Sequence, residues 1–161
     1  MPYVETLMGL RGFSEEMRQV GRTPHGRTFE VVREAVRDKS LGLALTTSVG
    51  DEVIRLSGVM YIDNRPTVVF VSRIPAALGV DIDESFTGSL YWLLEDEYGL
   101  QLREANETLE GGPCPEHAAA LLELPVGAPA LIRRRLTYGS PRCRWSMSSA
   151  CTPHQRSRSL E

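Results

Sequence analysis

No stretch of this 161-residue chain approaches the roughly 20 consecutive apolar residues of a membrane-spanning helix, which predicts a protein without a helical span. The opening residues, Met1 to Met17, lack the basic-then-apolar layout of a secretory leader, so a cytoplasmic location is expected. Cysteine is sparse. Cys114, Cys143 and Cys151 are widely spaced and form no Cys-x-x-Cys pair, which predicts free or half-buried thiols and no disulfide framework. His25, His117 and His154 are equally scattered, so no metal constellation and no cofactor is expected. A basic excess is missing as well. Lys and Arg number 18 against 21 Asp and Glu, the net charge is −3 and the sequence pI is about 5.7. Domains that bind nucleic acid unaided usually concentrate positive charge on one face, so this segment alone is not expected to do so. The nucleophile elbow Gly-x-Ser-x-Gly, the phosphate-binding Gly-rich loop and His-Glu-x-x-His are all absent, and an enzyme is not expected.

What is present is a hydrophobic share of 42%, enough for one domain with a core that needs no staple. Residues 10–20 open with a helix signal: Ser14 can cap, and Glu15 and Glu16 fall in the first turn. Gly21 closes it. Thr28–Arg33 alternates as a strand, and Glu34–Leu45 is expected as a short helix. The clearest local signal is Glu52–Ile62, which alternates with Ile54, Leu56, Met60 and Ile62 on one face. It is followed by a loop over Asp63–Pro66 and a β-rich run over Thr67–Arg73, which together make an antiparallel hairpin. Pro75–Leu78 is expected as one helical turn. Ser85–Tyr98 has the apolar spacing of an amphipathic helix stopped by Gly99. Leu100–Glu110 is a strand, Gly111-Gly112-Pro113 a loop, Pro115–Leu122 a short helix and Ala130–Tyr138 another strand. From Ser140 onward no pattern is clear. Helices mixed with a tight hairpin predict an α+β domain: an antiparallel sheet with flanking helices.

Candidate binding groups are few. Glu95, Asp96 and Glu97 are consecutive on a helix, so they splay around it. Arg133 and Arg135 point to one face of their strand and Arg134 to the other, and one of them could meet a ligand carboxylate or phosphate. Asn106-Glu107-Thr108 matches a glycosylation sequon, which carries no weight without a secretory leader. Gly12-Phe13-Ser14 leads into a helix N-terminus, where free N–H groups favour anions. Ser89 and Tyr91 bring hydroxyls to the start of the amphipathic helix, near its buried stripe.

Four segments together resemble one family: LRGFSEEMRQVGRTP (10–24), GDEVIRLSGVMYIDNRPTVVFVSRIP (50–75), GSLYWLLEDEYGLQL (88–102) and LLELPVGAPALIRRRLTYG (121–139). In order and spacing they are similar to the UTRA domain, the effector-sensing half of HutC-type regulators in the GntR superfamily. The resemblance implies a chorismate-lyase-like α+β fold, a homodimer, a metabolite pocket, and DNA binding only through a winged helix-turn-helix domain N-terminal to this segment. Residues 1–9 are then expected as a linker remnant, 10–150 as the sensing domain and 151–161 as an irregular tail. The resemblance places a ligand anion at Gly12, Phe13 and Ser14, with Ser89 and Tyr91 assisting. The family's first long strand often carries two arginines where this chain has Gly58 and Met60, and its partner strand often carries a glutamate where this chain has Phe70. Gly58, Met60 and Phe70, with Arg133, are therefore expected to line a pocket for an effector with an apolar body. A lyase acting on a dianionic substrate would need a polar, arginine-lined site, and Gly58, Met60 and Phe70 argue against one. If the last segment pairs as a strand, Ser146, Ser148 or Ser149 reaches the pocket.

Overall fold

The computed structural model describes residues 3–8, 21–45, 47–84, 93–140 and 144–153. The strands are β1 (Tyr3–Met8), β2 (Pro24–Ala35), β3 (Glu52–Ile62), β4 (Arg65–Pro75), β5 (Gln101–Pro113), β6 (Pro129–Ser140) and β7 (Arg144–Pro153). They form one antiparallel sheet in the order β1-β5-β6-β7-β4-β3-β2. Two short helices, α1 (Lys39–Leu45) and α2 (Glu116–Leu122), join them among the described residues, with a 3-10 turn at Ala76–Leu78 and a single wide helical turn at Leu93–Glu97. The α+β class with an antiparallel sheet is as the sequence predicts.

The β3–β4 hairpin is tighter than expected. Its turn is Asp63-Asn64 alone, both at positive φ (49° and 66°), the conformation a two-residue turn demands and one that Asp and Asn tolerate. Arg65 and Pro66, expected in the loop, already belong to β4.

Side chains divide between two faces. On one, α2 buries Ala118, Ala119 and Leu122 against Val59, Val69, Ala130 and Cys151, while α1 sets Leu45 beside Val36 and Val53. The other face carries Ile54, Leu56 and Ile74, which pack on Val80 and Leu94 from the segment between β4 and β5. Gly99, at φ 64°, ends that segment in the left-handed region, as expected of a helix stop, and the Leu100 N–H closes onto the Leu94 carbonyl at 3.0 Å.

Several expectations change. Glu34 and Ala35 belong to β2, and α1 starts only at Lys39, because the Val36 N–H and carbonyl are taken by Asp51 and Gly50. Gly111-Gly112-Pro113 is the end of β5, held straight by pairing with Pro129–Leu131. Residues 3–8, expected as linker, pair with Glu104–Leu109 as an edge strand. The largest change is at the C-terminal end. The patternless Arg144–Pro153 is an interior strand between β6 and β4, and its boundary at 150 falls mid-strand. Backbone ladders on both sides set its conformation, so no side-chain alternation is required. Of the amphipathic helix, only Leu93–Tyr98 is described. There Leu93 and Leu94 are buried and Glu95, Asp96 and Glu97 are exposed, as expected of a solvated acidic face.

Candidate effector-binding face

In an antiparallel sheet, residues directly opposite one another share a face. Gly58 is opposite Phe70, Phe70 opposite Ala150, and Ala150 opposite Arg133. Leu109 continues the row on β5. Met60 lies two residues from Gly58 on the same face, opposite Val68. The four described residues expected at the pocket, Gly58, Met60, Phe70 and Arg133, therefore occupy one face, the one opposite the two helices. At about 4.8 Å per strand step, the backbone of Arg133 lies about 14 Å from that of Gly58. Gly58 is buried, while Met60, Phe70 and Arg133 are half-buried.

Chemically the row is graded. Gly58, Phe70 and Ala150 offer no hydrogen-bonding side chain, and Val68 beside them is buried. At the β6 end stands a compact ionic cluster. Glu107 on β5 faces Arg135 on β6 and both are almost fully buried. Arg135 donates from Nε to Glu107 Oε1 at 3.0 Å and brings Nη2 within 2.8 Å of the same oxygen. Arg133 Nε approaches it at 3.1 Å. One carboxylate oxygen thus anchors two guanidiniums, and the Arg133 side chain, 30% exposed, is the one open to solvent. Arg134 points away, as its position in the strand requires, and pairs with Glu110 on the helix face at 3.1 Å.

Glu107 is the functional-face residue that sequence reasoning missed. It lies in the Asn106-Glu107-Thr108 triplet that the sequon reading discounted. The available signal was its place in a strand that could face Arg133 and Arg135, but pairing β5 with β6 requires the register. Asn106, next in the chain, turns to the other face and donates from Nδ2 to the Tyr138 hydroxyl at 3.1 Å.

Gly12, Phe13, Ser14, Ser89 and Tyr91 lie outside the described residues, as does the expected capped helix at 10–20. Their flanks are placed. Met8 ends the strand on one edge of the sheet and Pro24 begins the strand on the other. Glu84 and Leu93 bracket residues 85–92, and Val80 and Leu94 pack on the same face as the Gly58 row. Tyr98 ties this segment down. Its hydroxyl donates to Glu84 Oε1 at 2.8 Å and accepts from the Asp81 N–H at 2.9 Å. In the C-terminal strand, Ser148 sits at the register position opposite Ser72 and Arg135, and Ser146 opposite Thr137, both on the site-face rows. Ser149 is opposite Arg134 and so on the helix-face row. No group of three or more His, Cys, Asp or Glu that could hold a metal occurs among the described residues. A surface depression of about 580 Å³ bordered by Glu95, Leu100, Gln101 and Arg103 contains none of the expected residues.

The model of the UTRA domain family matches residues 19–143. The HTH-type transcriptional repressor NagR of Bacillus subtilis is 28% identical over 137 residues, 83% of this chain and 55% of the repressor. The chain thus spans about half the length of that curated relative. Among solved structures, the effector domain of PhnF from Mycobacterium smegmatis superposes with a TM-score of 0.85 at 19% identity, covering 92% of both chains. The ligand-binding domain of a putative GntR-family transcriptional regulator from Bordetella bronchiseptica gives 0.74 at 20% identity, covering 92% of this chain and 89% of that one.

Proposed function

Because the chain belongs to the UTRA domain family, the effector-binding domain of GntR-family transcription regulators, we propose that its Gly58–Phe70–Arg133 face holds a small-molecule effector with an apolar body. The observation that carries this reading is the cross-strand row itself. It runs from an apolar notch at Gly58, Met60 and Phe70 to a half-exposed guanidinium at Arg133. A ligand lying along it meets hydrophobic surface over most of its length and a cation at one end. Gly12, Phe13, Ser14, Ser89 and Tyr91 complete the pocket in this reading.

Signalling follows from differential affinity. The domain works as a homodimer with two arrangements, and the effector shifts the balance by no more than the difference in its affinity for them. The stretch around residues 9–17 passes that shift to a winged helix-turn-helix domain that binds operator DNA in the cytoplasm. DNA is a partner only through that domain. No helix among the described residues is long and apolar enough to cross a membrane.

The domain senses and does not catalyse. The relatives are regulators, and a chorismate-lyase-like reaction needs a polar, arginine-lined site where this face has Gly58, Met60 and Phe70. A direct assay for pyruvate release is expected to show none.

The test is thermal unfolding against sugar phosphates, amino-acid breakdown products, and aromatic and aliphatic carboxylic acids. A binder present at about 100 times its dissociation constant adds about 2.7 kcal/mol, several degrees in midpoint. An apolar carboxylic acid is expected to give the shift. A shift from phosphorylated sugars alone would overturn the apolar-body reading, and none across the panel would favour a pure dimerisation module.

A further inference from the structure

The helix face holds a thiol pair that the effector reading does not use. Cys114 directly follows β5, one residue before α2, and Cys151 lies in β7, 37 residues further on. Their sulfurs are 3.7 Å apart. Both are buried, in the cluster formed by Val59, Val69, Ala118, Ala119, Leu122 and Ala130. Neither is disulfide-bonded in this structure. A disulfide needs the sulfurs to close to about 2.05 Å, a movement of under about 2 Å.

We propose that Cys114 and Cys151 form a reversible intrachain disulfide, a redox-controlled staple between the head of α2 and the central strand β7. The net step is thiol–disulfide exchange. With oxidised glutathione as the disulfide, one protein thiolate attacks it, releasing one glutathione and forming a mixed disulfide. The second protein thiolate then displaces the other glutathione, leaving one S–S bond in the protein and two reduced glutathiones. The two protein thiols are oxidised, the small disulfide is reduced, and both protons end on the released thiols.

The pair is linked to the effector face, and its exchange depends on pH. The staple acts on an interior strand: Cys151 directly follows Ala150, which sits between Arg133 and Phe70 in the effector-face row. Drawing Cys151 toward Cys114 therefore moves backbone shared with that row. The reaction is also gated. Burial, followed by the Cys114 hydrogen bond, pushes the Cys151 thiol up to about 12. Cys151 is thus a weak nucleophile near neutral pH, and its part in the exchange accelerates with rising pH.

Incubating the folded chain with oxidised glutathione at pH 8.5, followed by alkylation and peptide mapping, tests the pair directly. The expected product is a Cys114–Cys151 link with a mass loss of two hydrogens. The unfolding midpoint should rise by about 10 °C, as closing a loop of this length predicts, and return on treatment with dithiothreitol. A Cys143→Ser variant should behave identically, and Cys151→Ala should show neither link nor shift. The proposal is overturned if alkylation finds both thiols free after oxidation while the chain stays folded. It is equally overturned if mapping finds Cys143 in the bond, or if the link forms without changing the midpoint. Because the readout needs no effector, its failure leaves the binding reading of the opposite face untouched.

Discussion

Glu107 and Arg135 face each other across β5 and β6 and bury one another, with 4% and 6% of their surfaces left exposed. The carboxylate oxygen nearest Arg135 Nε, at 3.0 Å, also receives Arg133 at 3.1 Å. Desolvation makes such a pair costly to build and more costly to break, since removing one member strands the other's charge in the interior.

Glu107→Gln is accordingly expected to destabilise the domain by about 3–5 kcal/mol, read as a lower urea midpoint. Replacing both partners with apolar residues, Glu107→Leu with Arg135→Met, should recover most of that loss. A double variant as unstable as the single one would mean that packing and not charge sets the cost.

The apolar row predicts an exchange of ligand preference. Gly58 and Phe70 are opposite neighbours, so Gly58→Arg with Phe70→Glu places a charge pair across β3 and β4 where the chain now has apolar surface. The double variant should lose the thermal shift given by an apolar carboxylic acid by at least tenfold in affinity, about 1.4 kcal/mol. Unchanged binding would move the pocket elsewhere.

Leu94 is fully buried against Ile54, Leu56, Ile74 and Val80. Leu94→Ala should cost about 2–5 kcal/mol through lost burial and the cavity left behind. Leu121, 38% exposed on the outer side of α2, is the contrast. Its truncation to alanine should stay within about 0.5 kcal/mol of wild type. Denaturant unfolding of both variants checks the pair.

Acid should weaken the helix face at one site. Burial alone would raise the Glu34 carboxyl, but hydrogen bonds from Arg55 and Arg73, together with their charges, hold it below its ordinary value of 4.5. The unfolded chain therefore binds a proton more readily than the folded one. The ion pairs contribute fully above about pH 4.5 and are lost as pH falls through the lowered folded value. Since Glu34 is about a third exposed, the effect is roughly 1 kcal/mol. Glu34→Gln should flatten the stability profile below about pH 4.5, with little change in slope above it.

What the chain determines locally is considerable. Alternation placed Ile54, Leu56 and Met60 together on one face of β3, and the loop signal at Asp63–Pro66 joined it to the next β-rich run as a hairpin. The turn alone would set Gly58 opposite Val69; a register shift between Met60 and Tyr61 brings Phe70 there instead, and nothing local announces that shift. Arg133 and Arg135 could be assigned to one side of their strand for the same reason of period two. Three further things waited for the tertiary structure. Arg144–Pro153, rich in serine, has no period of its own and becomes a central strand only because β6 and β4 offer backbone partners on both sides. Tyr3–Met8 is a strand because β5 supplies an open edge. The meeting of Glu107 with Arg133 and Arg135, and of Cys114 with Cys151, depends on strand order across non-adjacent segments. Local propensity does not encode such long-range register; only the closing of the whole sheet decides it.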